Sequence, residues 1–216
     1  MFPTDETIIN TCKQYTMTSY ERQLQTLNSI AYVVENNIDG DIIEIGVWKG
    51  GGVMMMLYKL LQLGVRDRNV HLYDTFNGMT EASDLDINPH GQTAKDENYF
   101  NTVRCDCPYD ITYNNIKSVG YPMELIHFHV GDIRYVDKIS IPKAIAVLRL
   151  DNDWYELYKF ELPLFEPNVS TNGIITIDDY GYWSGCKLAV DEYIKDKNVQ
   201  LNVIDDCAVF WKKSIS

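Results

Sequence analysis

Asp41-Ile42-Ile43-Glu44-Ile45-Gly46-Val47-Trp48-Lys49-Gly50-Gly51-Gly52 is the stretch that decides the fold. Three isoleucines among its first five residues are typical of a strand that is covered on both faces. The run from Gly52 to Leu63 has the length of a helix and ends at Gly64. A strand, a glycine turn and a helix in this order predict the opening unit of an α/β fold that binds a nucleotide-type ligand.

The glycines follow the pattern Glu-x-Gly-x-x-x-Gly-Gly-Gly, which is not the G-x-G-x-x-G fingerprint of dinucleotide-binding proteins. Glu44 lies on the strand itself, where a buried acid needs a partner. It would repel a pyrophosphate and favour a ligand that carries an ammonium group or hydroxyls. The pattern therefore favours S-adenosylmethionine over NAD. The alternative is a tight turn with a capping glutamate and no ligand.

Composition limits the classes of partner. The 216 residues suit one domain, and 19 basic against 31 acidic residues give a net charge of -12 and a pI near 4.7. This charge disfavours nucleic acid and anionic membranes as partners. The five scattered cysteines and an N-terminus without signal-peptide character predict a reduced, cytoplasmic protein. Cys105-Asp106-Cys107 is interpreted as incidental, since no second cysteine pair accompanies it.

Periodicity predicts the remaining elements. A helix from Tyr20 to Val34, capped at Thr18 or Ser19 with Thr18 and Glu21 as a capping box, belongs to an N-terminal helical cover, residues 1–38. A helix from Trp154 should stop at Pro163. Further strands are predicted at residues 69–73, 124–130, 143–150, 173–177, 201–204 and 208–212. The fold class is thus α/β: a seven-stranded, mostly parallel, Rossmann-like sheet of the class I methyltransferase type, with helices on both faces and a C-terminal antiparallel hairpin.

Polar residues follow the predicted strands. Asp74 ends the second strand, where a carboxylate can accept hydrogen bonds from a ribose diol; the alternative is an Asx turn. Asp132 after the third strand is placed to meet an adenine amino group. Residues 79–108 are polar and aperiodic, which predicts a lid, and His90 within it is either a general base or simply solvated. His127 and His129 share one face of a strand, but no third ligand supports a metal there.

Three acids follow two successive apolar strands. Asp151 ends one strand, and Asp178 and Asp179 end the next. Parallel neighbours lie about 4.8 Å apart with their carboxyl ends at one rim, so these acids should meet. Their carboxylates would select Mg²⁺ or another hard divalent cation. The alternative is that all three cap helices.

The chain resembles the macrocin O-methyltransferase (TylF-type) family of S-adenosylmethionine-dependent enzymes. The resemblance covers almost the whole chain, in blocks at residues 15–22, 40–51, 73–79, 148–156, 177–181 and 189–193. It implies a bound Mg²⁺ on Asp151, Asp178 and Asp179. The cofactor residues it implies are Thr16, Met17, Glu44, Gly46, Trp48, Gly50, Gly51, Asp74, Thr75, Phe76 and Asp132. Asn152, Lys187 and the lid depart from the family pattern, and the lid shapes the acceptor pocket.

The resemblance implies O-methylation of a sugar hydroxyl on a small-molecule acceptor. As a hypothesis, two vicinal hydroxyls chelate the cation, and Asp151 takes the proton as the oxygen attacks the sulfonium methyl group. The acceptor is a free sugar, a nucleotide-sugar or a glycosylated metabolite, and a homo-oligomer is compatible with the sequence. The alternatives are a methyltransferase of a non-sugar molecule, a nicotinamide-dependent oxidoreductase and a non-enzymatic binding module.

Overall fold

The computed structural model describes residues 3–96, 101, 105–135 and 141–214. Within them, seven strands form one sheet in the order β3-β2-β1-β4-β5-β7-β6. The strands are β1 Asp41–Ile45, β2 Val70–Asp74, β3 Ile126–Val130, β4 Ile145–Leu150, β5 Val169–Ile177, β6 Asn202–Val203 and β7 Val209–Lys212. Strands β1 to β5 are parallel to their neighbours among themselves, whereas β7 is antiparallel to both β5 and β6. The predicted sheet and its C-terminal hairpin are confirmed.

Helices cover both faces of the sheet, as predicted. The described residues contain α1 Asp5–Cys12, α2 Tyr20–Glu35, α3 Gly51–Gln62, α4 Tyr109–Lys117, α5 Tyr155–Phe165 and α6 Ser184–Ile194. Apolar residues of α1 to α4 pack on one face of the sheet, and those of α5 and α6 pack on the other. Because side chains alternate along a strand, Ile42 faces the first core and Ile43 the second. Two apolar cores therefore hold the strand tips in fixed positions.

The start of α2 decides between the two predicted caps. The Ser19 hydroxyl accepts a hydrogen bond from the backbone N–H of Arg22 at 3.1 Å, so Ser19 is the cap. Glu21 is then only the second helical residue, one position short of what a capping box requires. The capping box predicted from Thr18 and Glu21 is therefore wrong.

Two predicted element boundaries are also wrong. Helix α5 continues through Pro163 to Phe165, which is fully buried, because burial of this end of the helix outweighs the hydrogen bond that proline cannot make. Strand β5 begins at Val169 rather than at Gly173, since Val169 pairs with Ile145 of β4. Residues 166–172, between the end of α5 and the predicted start of β5, have the polar composition of a loop, which is why the strand was predicted to begin later.

No helix in the described ranges combines the length and apolarity needed to cross a bilayer.

Candidate functional site

A cavity of about 660 Å³ opens at the carboxyl ends of the parallel strands, and we call it the rim cavity. Its wall is formed by strand tips, by the segment before α2 and by the start of α3. The predicted site residues that line it are Thr16, Met17, Gly46, Trp48, Gly51, Asp74, Thr75, Asp132, Asp151, Asp178 and Asp179. Glu44, Gly50 and Phe76 lie behind the wall.

The three predicted acids lie together on the rim. One carboxylate oxygen from each of Asp151, Asp178 and Asp179 lies within 4.8 Å of the others. The sheet explains this, because Leu150 of β4 is paired with Ile177 of β5, so the two strands end side by side. The strand ends at Ile177, and Asp178 and Asp179 lie in a bend, which lets two successive residues face the same space. Among the described residues, no other group of three or more His, Cys, Asp or Glu offers ligand atoms this close together.

Arg149 connects these acids to β1, and sequence reasoning did not single it out. Its guanidinium donates to Glu44 at 2.5 Å, to Asp151 at 2.8 Å and to Asp178 at 2.6 Å. Arg149 is only 4% exposed, and its pairs with Glu44 and Asp178 lie away from water, whereas Asp151 is partly exposed. The signal was available, since an arginine inside the apolar run of β4 requires buried acids as partners.

A second arginine reaches the acids from the N-terminal cover. Arg22 of α2 donates to the other oxygen of Asp178 at 2.5 Å and to Asp205 at 2.9 Å. Ser19 donates to the same oxygen of Asp205 at 2.5 Å. Arg22 therefore fastens the start of α2 both to the tip of β5 and to the turn between β6 and β7.

A fourth acid, Asp153, was also missed. It lines the rim cavity, and its Oδ1 accepts a hydrogen bond from the Trp183 indole N–H at 2.7 Å. Its backbone has a φ of 63°, a left-handed conformation that few non-glycine residues adopt. The pattern Asp-x-Asp directly after a predicted strand could have indicated that Asp153 belongs to the site.

Burial and mutual repulsion dominate the ionisation of these acids. Burial, followed by the charge of Asp178, raises the pKa of Asp151 to about 6. Burial and the charge of Asp151 raise the pKa of Asp153 to about 8. The same two causes, burial and neighbouring carboxylates, raise the pKa of Asp179 well above its usual range. If all of these acids were ionised, the cluster would carry more negative charge than its arginines neutralise.

The glycine turn after β1 packs against β4 and the N-terminal segment. Gly46 has a φ of 81°, and a Cβ built on it would lie 1.9 Å from the carbonyl oxygen of Asp151. A Cβ on Gly51 would lie 2.6 Å from the backbone of Tyr15. Only glycine fits at these two positions without backbone movement. Trp48, with a φ of 48°, lines the cavity between them.

Glu44 has found its partner within the protein. It is 2% exposed and bonded to Arg149, and burial raises its pKa to about 7. A Cβ on Gly52 would lie 2.3 Å from its Oε1, so Glu44 packs against the first turn of α3. Gly50 faces Ile116 of α4 rather than the cavity. Both residues shape the turn from behind.

The carboxylate of Asp74 organises two loops at once. Its Oδ2 accepts from the backbone N–H groups of Val47 at 2.6 Å and Trp48 at 2.9 Å, and its Oδ1 accepts from Phe76 at 2.7 Å. Asp74 therefore forms the Asx turn that was one prediction. It also lies on the cavity wall, as a contact with a ribose would require. Thr75 also lines the cavity, whereas Phe76 packs edge-on against Tyr109 of α4.

The wall of the rim cavity also carries the other predicted cofactor residues. Asp132, after β3, forms an ion pair with Arg134 at 2.5 Å, which lowers the pKa of its carboxyl. Thr16 and Met17 also line this cavity, and Met17 is 65% exposed. The structure thus places Asp132, Thr16 and Met17 on the wall of one cavity.

The predicted lid, residues 79–108, is described except for residues 97–100 and 102–104. Its first part is anchored on the helix layer by Asp86, which is fully buried and accepts from the N–H of Tyr155 at 2.8 Å. Trp154 also donates to the Thr80 carbonyl at 2.9 Å. His90 lies exposed in a turn and does not line the rim cavity.

His127 and His129 do share one face of β3, as predicted. Both rings stack on His71 of β2, and His71 Nδ1 lies 3.0 Å from His129 Nε2. Burial lowers the pKa of His129 to about 4. These histidines bond to one another and to polar neighbours away from the rim cavity.

Comparison with known proteins gives a consistent result. The family model for macrocin-O-methyltransferase (TylF) matches residues 10–213. The chain is 29% identical over 202 residues to the demethyldecarbamoylnovobiocin O-methyltransferase of Streptomyces niveus, covering 93% of this chain and 76% of that protein. It is also 29% identical over 199 residues to the 8-demethyl-8-(2,3-dimethoxy-alpha-L-rhamnosyl)-tetracenomycin-C 4'-O-methyltransferase of Streptomyces olivaceus, covering 88% and 73%.

A solved structure, that of the O-methyltransferase NovP, matches the fold with a TM-score of 0.82 at 29% identity, covering 93% of this chain and 83% of that one. The predicted class I methyltransferase fold is confirmed.

Proposed function

The chain belongs to the macrocin-O-methyltransferase (TylF) family, and from that membership we propose that it methylates a hydroxyl of a sugar-containing small molecule with S-adenosylmethionine. The chain is an O-methyltransferase, which decides against the nicotinamide oxidoreductase and the non-enzymatic module. A rhamnosyl group in the name of one relative supports a sugar-containing acceptor. The observation that carries the proposal is that Asp151, Asp178 and Asp179 lie together and share one cavity with the glycine turn after β1.

Asp151, Asp178 and Asp179 are proposed to hold Mg²⁺ or another hard divalent cation. Their donor atoms are carboxylate oxygens, which such cations prefer. Asp179 accepts from a tyrosine hydroxyl and a backbone N–H, and no cationic side chain of the described residues pairs with it. Its raised pKa indicates that the carboxylate lacks compensating positive charge. A bound cation would act as a Lewis acid that lowers the pKa of an acceptor hydroxyl.

The cofactor is proposed to lie along the rim cavity. Asp132 would meet the adenine, Asp74 the ribose, and Thr16 and Met17 the methionine end, with the glycine turn beneath. The remaining predicted cofactor residues contribute either to the wall or to the shape of the turn behind it. Residues 1–216 are proposed to be one domain, in which residues 1–38 form a cover and residues 79–108 a lid over the acceptor.

Asp151 is proposed to be the general base. Its pKa of about 6 leaves most of it ionised above neutrality, so it can accept the proton of the acceptor hydroxyl. Bound S-adenosylmethionine would supply the methyl group to the acceptor oxygen, and its sulfur would keep the electron pair of the broken carbon–sulfur bond as S-adenosylhomocysteine. Arg149 holds one Asp151 oxygen at 2.8 Å, which fixes the carboxylate for this transfer.

Substitution and metal removal test this proposal. Asp178→Ala should abolish methyl transfer to candidate sugars, while calorimetry shows nearly unchanged affinity for S-adenosylhomocysteine. The exposed Asp196→Ala is the matched control and should keep full activity. Wild-type turnover should stop in chelator and return with Mg²⁺. Undiminished turnover in metal-free buffer would refute the metal role.

A further inference from the structure

The side chain of Asn152 links the rim cavity to the helix layer. It lines the cavity just after β4, and its Nδ2 donates to Oε1 of Glu161 at 2.7 Å. This bond leaves the amide oxygen turned towards the β1 turn, where a Cβ built on Gly46 would lie 2.7 Å from it. Among the described residues, no donor bonds to this oxygen. Asn152 therefore presents a hydrogen-bond acceptor at the wall of the cavity.

Glu161 has no evident structural reason to be an acid. It is fully buried in α5, and its second oxygen, Oε2, has no hydrogen-bond partner in the described part of the chain. Burial raises its pKa to about 8, so it is largely neutral near pH 7. An apolar residue would fill the same space at lower cost. The contact that distinguishes Glu161 from such a residue is its hydrogen bond to Asn152.

The turn that follows Asp132, Ile133–Tyr135, contacts the helix that carries Glu161. Leu157, one helical turn before Glu161, lines the cavity. The charge of Asp132 is near enough to Glu161 to raise its pKa further, after burial. Asp132 is the proposed adenine partner, and it lines the same cavity as Asn152. The acceptor oxygen of Asn152 therefore belongs to the half of the cavity proposed for the adenosine.

We propose that Glu161 is a positioning residue: it holds Asn152 so that the amide oxygen accepts a hydrogen bond from the adenosine half of S-adenosylmethionine. The donor is a ribose hydroxyl or the adenine amino group, which share this chemistry. This inference rests on the proposed function, because it requires that the cavity bind S-adenosylmethionine. It adds a specific contact from the segment that follows β4.

Titration calorimetry with two ligands tests the inference. S-adenosylhomocysteine contains the whole product, and 5'-methylthioadenosine lacks the amino-acid portion. Asn152→Ala and Glu161→Met should each weaken both ligands about tenfold, the value of one hydrogen bond in a partly buried site. Glu161→Gln keeps the acceptor for Asn152 and should bind within about twofold of wild type. The exposed Glu156→Gln on the same helix is the matched control.

The double variant gives the decisive measurement. If Glu161 acts through Asn152, combining Asn152→Ala with Glu161→Met should weaken binding no more than either change alone. Wild-type affinity in Asn152→Ala, or full additivity in the double variant, would overturn the inference. Loss of S-adenosylhomocysteine affinity with unchanged 5'-methylthioadenosine affinity would also overturn it. Failure of the wild type to bind either ligand would instead contradict the proposed function. If Glu161→Met does not fold, wild-type affinity in Asn152→Ala remains sufficient to overturn the contact.

Discussion

Replacing Arg149 by methionine tests how the acid cluster is held together. The guanidinium is buried and pairs with Glu44, Asp151 and Asp178 at 2.5, 2.8 and 2.6 Å. Methionine has a similar length but no charge, so three carboxylates lose this partner. Removing one member of a buried ion pair costs about 3–5 kcal/mol. At about 2–4 °C per kcal/mol for a chain of this size, Tm should fall by roughly 6–20 °C at pH 8.

The loss should shrink on acidification. Burial raises the pKa of Glu44 to about 7 and that of Asp151 to about 6 even with Arg149 present. An acid whose pKa is higher in the folded chain binds more protons when folded, so its cost to stability rises as pH climbs from its unfolded pKa to its folded pKa. Without Arg149, the pKa values of Glu44 and Asp151 in the folded chain rise further. The difference in Tm between wild type and variant should therefore be larger at pH 8 than at pH 5.

Scanning calorimetry at the two pH values measures this difference. The matched control is Arg66→Met, an exposed arginine whose loss should change stability by less than about 0.5 kcal/mol. Arg149→Lys keeps the charge without the planar fork and should fall between wild type and Arg149→Met. A wild-type Tm for Arg149→Met at pH 8, or a difference that does not narrow at pH 5, would refute the reasoning.

Three further predictions concern the rim. Gly46→Ala should lose at least about 2 kcal/mol of unfolding free energy and most cofactor affinity, because its Cβ would lie 1.9 Å from the carbonyl oxygen of Asp151. The control Gly64→Ala has a similar φ but open space around its Cβ, so it should lose only about 1 kcal/mol of unfolding free energy. Asp74→Ala leaves three backbone N–H groups without their acceptor and should cost about 2–4 kcal/mol in a denaturant titration, with weaker S-adenosylhomocysteine binding. Added Mg²⁺ should raise Tm more at pH 8 than at pH 6, since protons and cation compete for Asp151, whose pKa is about 6, and Asp179→Asn should reduce that increase.

The sequence was most informative where a local pattern decides the structure. The apolar runs of β1 and β4 predicted buried parallel strands, and parallel neighbours must end at one rim, so the meeting of Asp151 and Asp178 could be inferred without coordinates. Side-chain partners that are far apart in the sequence could not be inferred in this way. Arg22 reaches Asp178 over 156 residues, and Asp86 caps a helix from within a segment that has the composition of a mobile loop. Such contacts depend on how helices pack on the sheet, which periodicity does not specify.

The charge of the rim also limits what the cavity can hold. Arg149 and Arg22 form ion pairs with Glu44, Asp151 and Asp178. Among the described residues, Asp153 and Asp179 have no cationic partner. Burying unpaired carboxylates destabilises a fold, so these acids are explained better by what they bind than by what they stabilise. On the proposed function, a divalent cation and a sulfonium supply the opposing charge. Methyl transfer removes the sulfonium charge, so the site should attract the product less strongly than the substrate.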